Sequence, residues 1–571
     1  MKTKKSILTT ISLLMVCNVL FSKNNSSSRV LKNDSSFVLM CNATKNSIMN
    51  QNSNLTTIWN GTTWSNGIPD ASTDAIISGN YTATTDLTAN TLTVNNGAIV
   101  VVTSGYSFFI TSTVTVSLGA SLTFATNANL IQTEDINTNS GNIIVKRNSS
   151  PLKRLDYLLW SSPVASQNLQ SFSTQTLANR FYTYNPSSNA YNAIAIPAKT
   201  SFEAGKGFLI RTPNTFSDTT PTVWSGRFEG VPNNGDYNIP VTTNAYNSIG
   251  NPYPSPIDAD MFMLTNNITE AIYFWRKTNN SANSSYATYT VMGGVSNKSG
   301  LSAIEPNRTI DVGQGFIVKA TSNTVAFSNA MRVSNNNNQL LKTLSVERHR
   351  IWINLANENF PANQMLLGYM TNATNGVDPG IDGTYINDSQ IALNSYLNNG
   401  EFIVQGRSLP FTNTDVVPLT FKTTIAGNYT ISIDHVDGLF LESQNIYIKD
   451  NLMGITHDLK QSPYAFVTAT GVFNTRFEIV YATASQLGTT NPVLNENNVI
   501  VFNQNNILKI KTGTNSMKSV RLFDIQGKLI IEQNAINAST TEFKDLQSNG
   551  EVLIAQITSD QGIVITKKVI F

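Results

Sequence analysis

The stretch TLTVNNGAIVVV, Thr91–Val102, returns 22 residues later as TVTVSLGASLTF, Thr113–Phe124. In both copies apolar residues alternate with polar ones, a Gly-Ala pair interrupts, and the alternation resumes. Alternation marks a strand with one buried face, and a break at a fixed position turns the chain. A period in the low twenties built from such pieces predicts coils of a β-solenoid, each coil covering the open edges of the next. Solenoids need about three repeats or more. The neighbouring segments Ile76–Leu87 and Leu130–Val145 are therefore expected to be degenerate coils, with the Trp59–Trp64 segment as a cap. Residues 57–149 are assigned to this unit.

A longer duplication follows. Tyr157-Leu158-Leu159-Trp160 matches Tyr246-Asn247-Ser248-Ile249, and Phe181-Tyr182-Thr183-Tyr184 matches Ile272-Tyr273-Phe274-Trp275. Ala204-Gly205-Lys206-Gly207-Phe208-Leu209-Ile210-Arg211 matches Val312-Gly313-Gln314-Gly315-Phe316-Ile317-Val318-Lys319. The offset grows from 89 to 108 residues along the match, as it does when insertions fall in surface loops. Two related β-rich modules are read, 150–240 and 241–330, followed by an Asn-rich linker at 331–344. Residues 345–482 carry alternating runs with turn signals between them, which predicts an antiparallel β-sandwich. A linker at 483–497 leads to a last β-domain, 498–571. The fold class is all-β, and no segment shows a convincing helical period.

Composition agrees with such a chain. Of 571 residues, 40% are hydrophobic, which is enough to build cores, and only 13% are charged. Asn, Thr and Ser fill the gap, as on neutral extracellular β-rich surfaces. A net charge of +2 gives no electrostatic reason to expect nucleic acid as a partner. At the N-terminus Lys2, Lys4 and Lys5 precede an apolar run, Ile7–Phe21, and Ser22. Residues 1–22 thus read as a Sec signal peptide, too short for a stable span, and 23–56 as a loose leader. Cys17 would leave with the peptide, so the mature chain would keep Cys41 and form no internal disulfide. No other run is long and apolar enough for a transmembrane helix.

The final domain alternates over VIVFNQNNILKIKTG, KSVRLFDIQGKLIIEQ, TTEFKDL, EVLIAQIT and GIVITKKVIF. The Val520–Ile531 pair around Asp524-Ile525-Gln526-Gly527-Lys528-Leu529, the strand Val552–Ile557 and the terminal Lys567-Lys568-Val569-Ile570 carry a resemblance. They resemble the C-terminal sorting domain, type C, of proteins exported by the type IX secretion system of Bacteroidota. The whole architecture is similar to that of large secreted flavobacterial proteins, in which a solenoid stub and sandwiches precede the sorting signal. The resemblance implies that residues 498–571 are a small β-sandwich acting as a secretion signal for the outer-membrane translocon. It implies export through Sec to the periplasm, then secretion or attachment at the outer surface. Asp524, Gly527, Lys567 and Lys568 are the signal residues it nominates.

Recognisable catalytic scaffolds are missing: there is no HExxH, CxxC pair, GxSxG, Walker loop or GxGxxG. AGKGFLIR and VGQGFIVK lack the helix start that holds phosphate, and a turn with Gly at positive φ explains them better. Among Asp434, His435 and Asp437, the first two are adjacent on a strand and should point to opposite faces, so they should not converge. Asp378 and Asp382, in Asp378-Pro379-Gly380-Ile381-Asp382-Gly383, are the candidate Ca²⁺ ligands. Ser389 stands where an EF-hand needs a bidentate Glu, so plain turn chemistry competes with loose Ca²⁺ binding. Trp160, Tyr182, Tyr184, Trp224, Tyr273 and Trp275 could stack on sugars, but matched positions in two copies favour a core role. Residues 91–130 are all uncharged, which argues against acid–base catalysis on the solenoid. The expected function is a non-enzymatic, adhesin-like surface protein that binds glycans or cell surfaces. The alternative is a carbohydrate-binding or polysaccharide-degrading protein with its site in 150–480.

Overall fold

A computed structural model describes residues 55–276, 285–298, 304–334, 346–358, 360–483, 494–547 and 549–571. The segment read as a signal peptide, most of the segment read as a leader, including Cys41, and the greater part of both linkers lie outside the described residues. The all-β expectation holds. Three parallel sheets form the faces of the solenoid. One holds Leu55–Trp59, Thr73–Ile77, Leu92–Val94 and Val114–Val116; the second holds Leu87–Ala89, Ser107–Ile110 and Asn129–Gln132. The third stacks Tyr81–Ala83, Ile99–Val102, Ser121–Phe124 and Ile143–Leu152. The segments expected to be degenerate coils therefore are coils. Leu92, Val94, Val100 and Val102 point inward with their counterparts Val114, Val116, Leu122 and Phe124. Trp59, Trp64 and Tyr81 pack together over the first coil, with ring centres 5.0–5.9 Å apart and Tyr81 edge to face with both indoles.

Ile143–Leu152 crosses the position where the solenoid was expected to end. It pairs parallel with the last coil and antiparallel with Thr222–Gly230, so the first module grows out of the solenoid sheet.

The duplication is a duplication of topology. In module 1 the strand order is Tyr157–Trp160, Phe208–Arg211, Phe181–Asn185, Ala190–Ala193. In module 2 it is Tyr246–Gly250, Gly315–Lys319, Ile272–Trp275, Tyr286–Thr290, with Gly293–Val295 added at the edge. Register is preserved as well: Tyr157 faces Arg211 as Tyr246 faces Lys319, and Tyr182 faces Leu209 as Tyr273 faces Ile317. Each copy also carries a helix that the sequence pattern did not announce, Leu169–Phe172 and Ala259–Thr265, N-capped by Asn168 and Asp258. At one and two turns they are too short to show a period.

Residues 346–483 form one eleven-stranded sheet that folds on itself as a sandwich. Phe466 from one end of the strand order meets Phe477 from near the other, centroids 4.8 Å apart. One pairing departs from the antiparallel expectation: Phe360–Met370 and Gly400–Ser408 run parallel. The intervening Ile391–Leu397 pairs with Gly400–Ser408 as a hairpin, so the chain between them supplies the crossover that a parallel pair requires.

The C-terminal domain packs a three-stranded sheet on a four-stranded one around its own core, including Leu508, Val520, Leu522, Ala555 and Ile557. A small apolar contact, Met453 with Ile500 and Phe502, joins it to the large sandwich.

Candidate functional site

The two modules meet through equivalent surfaces. Ser161 N donates to Gly313 O at 2.9 Å, and its counterpart Gly250 N donates to Gly205 O at 3.0 Å. Isolated bridges join Trp160 to Gln314 and, reciprocally, Ile249 to Lys206. This is an isologous seam with a pseudo-two-fold axis inside one chain. The glycine loops serve it. Gly205 and Gly313 both have φ of +74°, the turn geometry expected of them. Gly207 and Gly315 let the backbones touch: a Cβ on Gly207 would lie 2.5 Å from Ser248 Oγ, and one on Gly315 2.7 Å from Leu159 Cγ. Leu159 and Ser248 are themselves matched positions.

The same symmetry gathers aromatic rings. Tyr184 and Tyr191 are a cross-strand pair in module 1, and Trp275 and Tyr286 are the equivalent pair in module 2. Consecutive rings pack edge to face across the seam, with centroids 5.1 Å (Tyr184–Tyr191), 5.6 Å (Tyr191–Trp275) and 5.5 Å (Trp275–Tyr286) apart. They line a cavity of about 300 Å³ together with Tyr246 and, from the sandwich, Asp388. All five rings are half-buried. Burial raises the phenols of Tyr184, Tyr191, Tyr246 and Tyr286, so they stay neutral. The Trp275 indole N–H has no hydrogen-bond partner among the described residues. Asp388 accepts from Ser285 Oγ at 2.9 Å and is the one carboxylate among the described residues that line the cavity. Trp275 also lines a neighbouring cleft of about 320 Å³ that includes Arg147, Trp160, Arg276 and Asp311.

The aromatic residues read as core therefore divide. Trp160, Trp224 and Tyr273 are core, with 4%, 5% and 0% exposure. Tyr182, Tyr184 and Trp275 are half-buried rings at the seam. Tyr191, Tyr246 and Tyr286 escaped the sequence reading. The signal that could have found Tyr191 and Tyr286 is their shared distance of two residues before Ala193 and Thr288, which oppose Tyr182 and Tyr273.

Asp378 and Asp382 are buried, and all four carboxylate oxygens accept hydrogen bonds. Asp378 takes Thr374 N and Oγ1; Asp382 takes Asp378 N and Gly406 N, both at 2.6 Å. The pair ties its loop to the strand at Gly406. Burial pushes the Asp382 carboxyl up to about 7.

Asp434 and His435 do converge, which corrects the sequence reading. Trp352 pairs with His435 and Ile353 with Ile433, so Asp434 is the extra residue of a β-bulge. A bulge cancels strict alternation locally and brings neighbours to one side. His435 Nδ1 lies 2.9 Å from Asp434 Oδ2, and Nε2 lies 3.5 Å from Glu305 Oε2 of module 2. The imidazole stacks on Trp352, centroids 4.0 Å apart and planes at 19°. Burial alone would raise the Asp434 carboxyl. Hydrogen bonds from His435, Lys298 and Asn354 outweigh that and hold it below the usual range.

In the C-terminal domain Asp524 and Gly527 build one hairpin turn. Asp524 Oδ1 accepts from Gln526 N and Lys528 N, both at 2.9 Å, and Gly527 adopts φ of +82°. Lys567 and Lys568 lie on the edge strand Val564–Ile570, paired with Ala555 and Ile554. The structure does not bring the lysines and the turn into one cluster by any hydrogen bond or ion pair among the described residues.

Residues 51–481 match a family described as a domain of unknown function, DUF8693, and the chain belongs to that family. Residues 487–571 match a second family of the same description, DUF8694. No curated protein matches the chain. Among the described residues no helix is long and apolar enough to cross a membrane.

Proposed function

We propose that this chain is a non-enzymatic, adhesin-like protein of the cell surface that binds glycans at the seam between its two modules. The observation that carries this reading is the row of four rings contributed in equal parts by the two modules. Flat aromatic faces stack on the C–H faces of pyranose rings. A cavity near 300 Å³ is at the small end for ligand sites, which suits one or two sugar units. Glycoside hydrolysis uses a pair of carboxyl groups across the scissile bond, and among the described residues this cavity has Asp388 alone. Titration with soluble oligosaccharides tests the assignment. Trp275→Ala should weaken binding about tenfold or more, a loss of roughly 1.4 kcal/mol; unchanged affinity would reject the seam as the site.

The second part of the proposal concerns delivery. Residues 498–571 act as the type IX secretion signal, recognised by the translocon after Sec export to the periplasm. In support stand the separate core of this domain, the small apolar contact that joins it to the body, and its match to a family of its own. Asp524 and Gly527 would shape the turn that the translocon meets, with Lys567 and Lys568 offering charge beside it. Deleting 498–571 should leave the chain in the periplasm in cell fractions probed by immunoblot. Surface delivery of the truncated chain would contradict the role.

A further inference from the structure

We infer that Glu305 and His435, braced by Asp434 and Gln364, form a site for a divalent transition cation such as Zn²⁺ where module 2 meets the large sandwich. The His435 imidazole has a carboxylate beside each of its nitrogens. Asp434 Oδ2 lies 2.9 Å from Nδ1. Nε2 faces Glu305 Oε2 at 3.5 Å. The separation exceeds the 2.7–3.2 Å of an ordinary N–H···O bond. It is close to the edge of a tetrahedral zinc site, about 3.3 Å for bonds of 2.0–2.1 Å.

The surroundings are those of an oriented ligand pair. A carboxylate on the distal nitrogen fixes the tautomer and ring plane of a metal-bound His, which is the place of Asp434. Trp352 clamps the ring from one face. Gln364 Nε2 donates to Glu305 Oε1 at 2.9 Å, which leaves Oε2 directed at His435. The ligand atoms of Glu305, Asp434 and His435 all lie within 4.8 Å of one another. Lys298 sits 3.0 Å from Asp434 Oδ1, so its charge is spent on the bracing carboxylate rather than on Glu305. One imidazole nitrogen and one carboxylate oxygen favour zinc, nickel or copper over calcium or magnesium. The remaining positions go to water.

The test is isothermal titration of the intact chain with ZnCl₂ and, separately, CaCl₂. One Zn²⁺ per chain should bind and Ca²⁺ should not. His435→Ala and Glu305→Gln should each weaken zinc about tenfold or more, while His457→Ala leaves it unchanged. The two ligands come from different domains, so zinc should also raise the melting temperature of the wild type and not that of His435→Ala. Circular dichroism of the metal-free variants separates loss of the site from loss of the fold. Zinc affinity untouched by either ligand substitution in a folded variant, or Ca²⁺ bound as tightly as Zn²⁺, would overturn the assignment.

Discussion

Arg332 shows how much one side chain can carry in a chain so poor in charge. It is 7% exposed, and it donates to Ser255 Oγ, Asn234 Oδ1, Asn329 Oδ1 and the Leu130 carbonyl at 2.6–3.1 Å. Those four acceptors are neutral, and they join the last solenoid coil to module 2. Arg332→Met keeps the volume but strands the acceptors, so it should cost about 3 kcal/mol of stability, read as a lower midpoint in urea. Asp382 gives a prediction in pH. Its folded value of about 7 lies above the ordinary carboxyl value near 4, so the folded state holds a proton that the unfolded chain has released. Its contribution is therefore fully present below about pH 4 and lost as pH rises through 7, an effect of the order of 1–3 kcal/mol. Asp382→Asn should flatten that decline, and a parallel pH profile for both proteins would contradict it. At this scale the sequence was a partial guide. Gly205, Gly313 and Gly527 announced turns because left-handed backbone has few tenants. The convergence of Asp434 and His435 was hidden because a bulge depends on what the partner strand does, not on its own residues.

At the scale of elements, the seam makes a paired prediction. Gly207→Ala and Gly315→Ala place a methyl against matched neighbours, Ser248 and Leu159. Each should destabilise by about 1–3 kcal/mol, and by similar amounts. A large cost at one glycine and none at the other would argue against an isologous seam. The solenoid and the duplication were legible because repetition is visible at any distance along the chain. The parallel pairing of Phe360–Met370 with Gly400–Ser408 was not, since alternation reports a strand's faces and is silent on its neighbours. The seam was half legible. Its glycines and the pair Tyr184 and Trp275 lie in the matched blocks, while Tyr191 and Tyr286 lie in strands outside them.

At the scale of the molecule, the chain divides into a body of solenoid, modules and sandwich and a terminal domain with its own core. The body is continuous: solenoid strand runs into module 1, module 1 closes on module 2, and module 2 meets the sandwich at Glu305, Lys298 and the Trp352 ring. Removing 498–571 uncovers a small contact around Met453, which Ile500, Phe502 and Gly513 cover, so the truncated body should melt within a few degrees of the intact chain. A collapse of the body on truncation would show that the last domain is a structural part of it. The central claim is binding without turnover at the seam. Its most direct test is incubation of the intact chain with a panel of insoluble and soluble polysaccharides, measuring bound protein and released reducing ends together. The account predicts retention on at least one glycan, lost with Trp275→Ala, and no release of sugar. Measurable sugar release without stable binding would contradict it.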